Sequence, residues 1–379
     1  NSGHPLLSEQ GLNTLFPRGR GGGRRSHPFR KAAGVGFLVA VWAVASSPGS
    51  QGEVGDPAPF QKGMVLGIFS KTDPDYFRQN LEEIQKLGVD SISLIVPKVQ
   101  KDVHSIGFYD DPWITPSDGS LRQAIREAHR RGMRIFLMPI VYLEDLGDGE
   151  WRGTLSPGDW GAWFEAYEKM ILGYARLASE ERVEYFSVGS ELCSTERMKS
   201  RWERVIRKVR RVFPGQITYS ANWDHLEPVS FGSRLDFLGM NAYYEVGKDS
   251  ASEPGAMVAR WKEIQKGIRS WRRLNGNKPL VITEVGYPSR TGAGVDPWNY
   301  FGEGAPDPEA QRKCYEAFVT AWNGETMLSG VYFYLWWGEG GLQDRDYTPR
   351  GKPALKVIES WYSGEGKLGG SPGLLEVKP

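Results

Sequence analysis

From Lys62 onward the chain alternates between short, almost wholly apolar runs and longer stretches in which apolar residues recur every three or four positions. The apolar runs are MVLGIF (64–69), SISLIV (91–96), RIFLMPIV (134–141), EYFSVG (184–189), ITYSAN (217–222), DFLGMNAYY (236–244), LVITEVG (280–286) and GVYFYLWW (330–337). They lack polar alternation, as parallel strands covered on both faces do. The stretches between them read as helices. Thr72-Asp73-Pro74 offers an N-cap followed by proline for a helix through Leu87, stopped at Gly88. Ser117 or Asp118 caps a helix through Arg130, before Gly132. Further helices are predicted over 160–178, 196–212, 257–274, 308–322 and 354–361. Over 257–274, Trp261, Ile264, Ile268 and Trp271 share one helical face. The link between the fifth and sixth runs is too short for a full helix.

Eight strands alternating with helices over about 300 residues imply an α/β fold, a (β/α)8 TIM barrel forming a single catalytic domain. An open doubly wound sheet would carry G-x-G-x-x-G after its first strand, and GIFSKTDPD has none.

The first 61 residues do not share this pattern. Six basic residues, from Arg18 to Lys31, precede the apolar run AAGVGFLVAVWAVA (32–45), and a polar stretch follows Ala43-Val44-Ala45. This organisation predicts a signal peptide over 1–45, with a retained membrane anchor as the alternative. A flexible linker (46–61), the barrel (62–363) and a Gly-rich flexible tail (364–379) would follow. The expected location is secreted or periplasmic. Residues 1–45 carry six basic side chains against Glu9, a net +5, so the +1 of the 379-residue chain becomes −4 for the remainder. Nothing in that balance suggests nucleic acid. Cys193 and Cys314 lie far apart in no metal-binding spacing and are read as two separate buried thiols. A monomer is expected.

Barrels of this kind place their chemistry at the C-terminal strand ends and the loops after them. Those positions hold His104, Trp113, Ser190, Glu191, Asn222, Trp223, His225, Asn241, Tyr243, Tyr244, Glu284 and Trp336. Glu191 and Glu284 are distinctive, because a carboxylate ending a buried apolar strand is costly unless paired, hydrogen-bonded or functional. Two of them, on strands four and seven, match what glycoside hydrolysis needs: an acid for the leaving oxygen and a second carboxylate on the other side of the bond. Of the 14 tryptophans, six fall on helices, where packing is the default (Trp163, Trp202, Trp261, Trp271, Trp322, Trp361). Six fall at the expected mouth (Trp113, Trp151, Trp223, Trp298, Trp336, Trp337), where aromatic faces suit the C–H faces of sugars. No H-x-H, H-E-x-x-H or H-x-x-E-H spacing is present, so neither a metal nor another cofactor is expected. G-x-S-x-G is absent, which removes Ser190 as a nucleophile.

SVGSEL around Glu191 and ITEVGYPSR around Glu284 resemble the acid/base and nucleophile strands of the retaining clan of (β/α)8 glycoside hydrolases. Within that clan, YDDPWITPSDGSLRQAIREAHRRGMRIFLMPIV and YTPRGKPAL resemble glycoside hydrolase family 113, the endo-β-1,4-mannanases. The resemblance spans roughly 60–361. It implies a neutral polysaccharide or oligosaccharide substrate cleaved by double displacement, with Glu191 as general acid/base and Glu284 as nucleophile. It also implies that Tyr243 or Tyr244 hydrogen-bonds the nucleophile and that Trp336 floors the subsite of the reacting sugar. Asn222, Trp223, Trp113 and His104 would complete the substrate contacts. One departure stands out: Ser190 occupies the position where the clan commonly has asparagine. The alternatives are a β-glucanase or exo-β-mannosidase on the same scaffold, or a non-catalytic barrel that binds polysaccharide at the cell surface.

Overall fold

The computed structural model describes residues 59–68, 74–249 and 251–364. The proposed leader, nearly all of the linker, the Thr72-Asp73 cap and the tail beyond Gly364 lie outside the described residues. Eight parallel strands close into one barrel in sequence order: β1 (Gln61–Leu66), β2 (Ser91–Gln100), β3 (Arg134–Leu143), β4 (Tyr185–Ser190), β5 (Gln216–Asn222), β6 (Leu238–Asn241), β7 (Leu280–Val285) and β8 (Leu328–Trp336). Seven helices are described around it: α1 (Pro74–Lys86), α2 (Asp118–Arg130), α3 (Trp160–Glu180), α4 (Lys199–Arg210), α5 (Pro254–Leu274), α6 (Pro308–Trp322) and α7 (Ala354–Ser363). Between β5 and β6 there is a single 3-10 turn, Gly232–Arg234, in place of a helix.

Local chemistry accounts for the helix starts. Ser117 Oγ accepts the Ser120 N–H, Asp159 accepts those of Gly161 and Ala162, and Asp307 accepts that of Ala310. Each satisfies N–H groups that the first helical turn would leave unpaired. Gly88, just past α1, has φ +78°, which a side chain would strain.

Two cores result. One lies between barrel and helices and holds all six helical tryptophans. The other fills the barrel with Phe136, Met138, Tyr185, Phe237, Tyr332, Tyr334 and their neighbours. Below, Tyr332 donates to Gln61 at 2.8 Å and Arg134 to Asp90 at 2.6 Å, so that end is polar but satisfied.

Three strands break their register near the mouth. On β4, Ser187 to Ser190 spans what Thr218 to Ser220 spans on β5. On β7, Ile282 to Glu284 faces Met240 to Asn241 of β6. On β8, Phe333 to Trp336 faces Met64 to Leu66 of β1. In each case one strand carries an extra residue, which is a β-bulge.

Candidate active site

The bulges decide which side chains reach the barrel interior. On β7, Ile282 and Val285 pack toward the helices, while Thr283 and Glu284 between them both serve the interior. On β4 the chain turns at Glu191, whose φ of +55° is left-handed and uncommon for a residue with a Cβ. The Glu191 N–H donates to the Ser220 carbonyl at 2.9 Å.

Glu191 and Glu284 are each 6% exposed. They meet around Asn241 of β6. Asn241 is the register partner of Glu284, and its amide donates to Glu191 Oε1 at 2.9 Å. Thr283 donates to the amide oxygen of Asn241 at 2.8 Å, which fixes the direction of that amide. The same amide lies 3.4 Å from Ser190 Oγ. An amide therefore does stand beside the acidic residue, delivered by β6 rather than by the residue before Glu191.

The second oxygen of Glu191 is also engaged. Arg152, in the 3-10 turn Arg152–Thr154 after β3, places Nη2 3.0 Å and Nε 3.2 Å from Glu191 Oε2. Glu284 receives less help: Tyr243 donates to its Oε2 at 2.8 Å. Burial first, and the charge of Glu191 second, push the Glu284 carboxyl up to about 8, against the opposing pull of Tyr243 and Arg152. The Tyr243 phenol is itself held well above its ordinary value by burial and by the Glu284 charge, so it remains a donor. Two buried carboxyls, one surrounded by donors and one left protonated near neutrality, are equipped for acid–base work on a bound molecule.

Beside them is a cleft that reaches Glu284. Leu66, Ile68, Ile95, Ile140 and Leu335 form its aliphatic side, and Arg152, Glu284 and Tyr334 contribute polar groups. Among the described residues, no cluster of three or more His, Cys, Asp or Glu side chains has the arrangement of a metal site. Cys193 and Cys314 are separate buried thiols, both pushed up by burial.

The structure divides the expected binding residues. Tyr243 faces the barrel interior and meets Glu284, whereas Tyr244 packs among the helices against Trp261 and is excluded from that contact. Trp336 needs correction as the floor of a subsite. It is 2% exposed, lies in the core between barrel and helices, and donates its Nε1–H to Asn80 of α1 at 2.9 Å. The extra residue in β8 causes this: Tyr334 and Leu335 take the interior and Trp336 is turned outward. Trp223 stacks on Trp298 with centroids 5.4 Å apart, and Trp298 is 41% exposed. Asn222 donates to Asp224 at 2.7 Å. Trp113, 61% exposed, and His104, whose Nδ1 lies 3.0 Å from the Ser156 carbonyl, sit in outer loops. Ser190 is buried beside Asn241. Sequence reasoning missed Arg152, Tyr334 and the bridging role of Asn241. Arg152 directly follows a mouth tryptophan, a signal that would have nominated it.

The profile of Glycoside Hydrolase Family 113 matches residues 67–352. Among solved structures, a β-mannanase of that family from Alicyclobacillus acidocaldarius, in complex with ManMIm, superposes with a TM-score of 0.73 at 27% identity, over 81% of this chain and 98% of that one. A second family 113 β-1,4-mannanase gives 0.72 at 25% identity, over 80% and 99%. A family 5 mannosidase from Rhizomucor miehei gives 0.58 at 13% identity, over 83% and 95%, a likeness of fold. No curated protein sequence matches the chain. With three quarters of its length matched and two carboxyls gathered at the strand ends of a closed barrel, the chain belongs to Glycoside Hydrolase Family 113 and is a glycoside hydrolase.

Proposed function

We propose that the enzyme is a retaining endo-β-1,4-mannanase in which Glu284 is the nucleophile and Glu191 the acid/base. The observation that supports this reading best is the pairing of the two buried carboxyls through Asn241, with Tyr243 on Glu284. Its β-mannanase relatives direct the choice of sugar. Secretion by way of the 32–45 apolar run would bring such an enzyme to its polymer.

In the first step a Glu284 oxygen bonds to the anomeric carbon as the glycosidic C–O bond breaks, and the Glu191 proton passes to the leaving oxygen. In the second step water attacks the same carbon, gives a proton to Glu191, and the bond to Glu284 breaks. Tyr243 stabilises Glu284 whenever it is an anion. In the ligand-free site both Glu191 oxygens accept hydrogen bonds, while Glu284 keeps a proton near neutrality. Substrate entry must therefore draw Arg152 off Oε2 and let one proton pass from Glu284 to Glu191. The pair works with one proton in total.

The decisive measurement is proton NMR of mannohexaose hydrolysis. The β-anomer should appear first, and α-anomer first would reject retention. A reducing-sugar screen over mannan, glucomannan, cellulose, xylan and chitin should favour the mannans, and a preference for cellulose would reject the mannanase assignment.

A further inference from the structure

Behind Glu191 lies a buried carboxyl that the reaction does not use. Glu196, in the segment between β4 and α4, is fully buried and its Oε2 has no hydrogen-bond partner. Its Oε1 accepts from the Tyr219 hydroxyl at 2.8 Å. That hydroxyl accepts the N–H of Leu192 at 2.7 Å, and Leu192 is the residue after Glu191. Tyr219 belongs to β5, and its ring is wedged against Trp202 and Phe231. The left-handed turn at Glu191 is thus tied on both sides by β5: the Glu191 N–H to the Ser220 carbonyl, the Leu192 N–H to the Tyr219 hydroxyl.

We propose that Tyr219 and Glu196 are a positioning pair for the acid/base, holding Glu191 in its left-handed backbone so that its carboxyl stays within reach of the leaving oxygen. A non-glycine residue keeps such a conformation only where its surroundings over-determine it, and this is typical of active sites. A phenol can accept the Leu192 N–H steadily only if its own proton is sent elsewhere, and Glu196 takes it. The groups around Glu196 are mostly acidic: Glu191, Asp224 and the Cys193 thiol, with Arg197 as the cation and Tyr219 as the donor. Burial, and then the charges of Glu191 and Asp224, push Glu196 up to about 8, so near neutrality it adds no charge beside the reacting pair. An ionised carboxylate there would repel the anionic form of Glu191.

The inference rests on Glu191 being the acid/base. Proton donation matters for a sugar leaving group and hardly at all for a dinitrophenolate. Tyr219→Phe should lower kcat on mannohexaose on the order of tenfold or more, as for other losses of alignment at a reacting group. Its KM should stay put, and glycosylation by 2,4-dinitrophenyl β-mannotrioside, read from the burst, should be close to wild type. Glu196→Leu should behave in the same way, and Glu196→Gln, which keeps an acceptor for Tyr219 without charge, should recover most of the loss. Equal falls on both substrates, or no fall on either, would overturn the proposal. Should Tyr219→Phe fail to fold, the Glu196→Leu and Glu196→Gln pair decides alone. If wild-type enzyme cleaves another β-glycoside but no mannoside, the sugar assignment fails, and the same leaving-group comparison is made on that glycoside.

Discussion

Glu181 and Glu284 are buried almost equally, 8% and 6% exposed, yet they are opposite in character. Glu181, at the end of α3, receives Arg126 at 2.6 and 2.7 Å and Arg122 at 2.8 Å. Hydrogen bonds from Arg126, and then Arg122, hold its carboxyl below the ordinary range. Glu284 has one phenol and a like charge nearby, and rises to about 8. Burial alone did not set either charge. At Glu181 the two arginines outweigh burial and make an inert structural anion; at Glu284 burial, joined by the charge of Glu191, outweighs Tyr243 and the single Arg152 and leaves a carboxyl that can exchange a proton at neutral pH.

The comparison breaks most clearly in a pair of amide substitutions. Glu284→Gln should lower kcat on the order of a thousandfold or more, the scale on which loss of a covalent nucleophile is felt. Its thermal midpoint at pH 7 should hold or rise, because the amide matches a carboxyl that is already neutral. Glu181→Gln should do the reverse, leaving kcat intact and costing about 1–2 kcal/mol, since the partly exposed arginines rehydrate. The sign of the pH dependence follows. Glu284, raised in the fold, contributes stability in full below its ordinary 4.5 and loses it as pH climbs through about 8. A wild-type midpoint that falls over this window, with a shallower slope in Glu284→Gln, is the outcome expected. Identical slopes would contradict the assignment.

Arg152 sharpens the comparison by asking what one cation does beside the reacting pair. Its charge pulls against the rise of Glu284, favouring that carboxyl's anionic form. Arg152→Gln should therefore move the alkaline limb of kcat/KM to higher pH. An unmoved limb would show that Arg152 does not govern the shared proton. The smallest effect belongs to Trp336→Phe. Losing the hydrogen bond to Asn80 should cost about 1 kcal/mol in a denaturant melt. The kinetic constants should stay within roughly a factor of two, as for substitutions away from the site. A large rise in KM would return Trp336 to the cleft.

The barrel was legible because its strands are continuous apolar runs, and the one predicted cap that falls within the described residues bonds through Ser117. The two glutamates were legible because an acid at the end of such a run is conspicuous. The choice between Tyr243 and Tyr244, left open in the sequence, falls to Tyr243 because alternation along DFLGMNAYY gives it the interior with Asn241 and turns Tyr244 to the helices. The same rule applied to GVYFYLWW gives Trp336 the interior with Tyr332 and Tyr334, and there it fails. One extra residue in β8 shifts the parity, and a bulge leaves no mark in composition. Arg152 escaped for another reason: a loop side chain reaches the centre through the path of its backbone, which local pattern does not encode.

The bulges on β4, β7 and β8 have a further effect, on where the barrel is soft. The extra residues on β4, β7 and β8 break the run of evenly spaced ladder bonds near the C-terminal strand ends, while the opposite end, with a single register shift between β7 and β8, keeps a tightly bonded plug. Amide exchange should thus be graded along the barrel axis, slow at the closed end and quicker around the carboxyls. Under the proposed mechanism, the end that admits the substrate and lets Arg152 step aside is then also the end with less backbone bonding to oppose it.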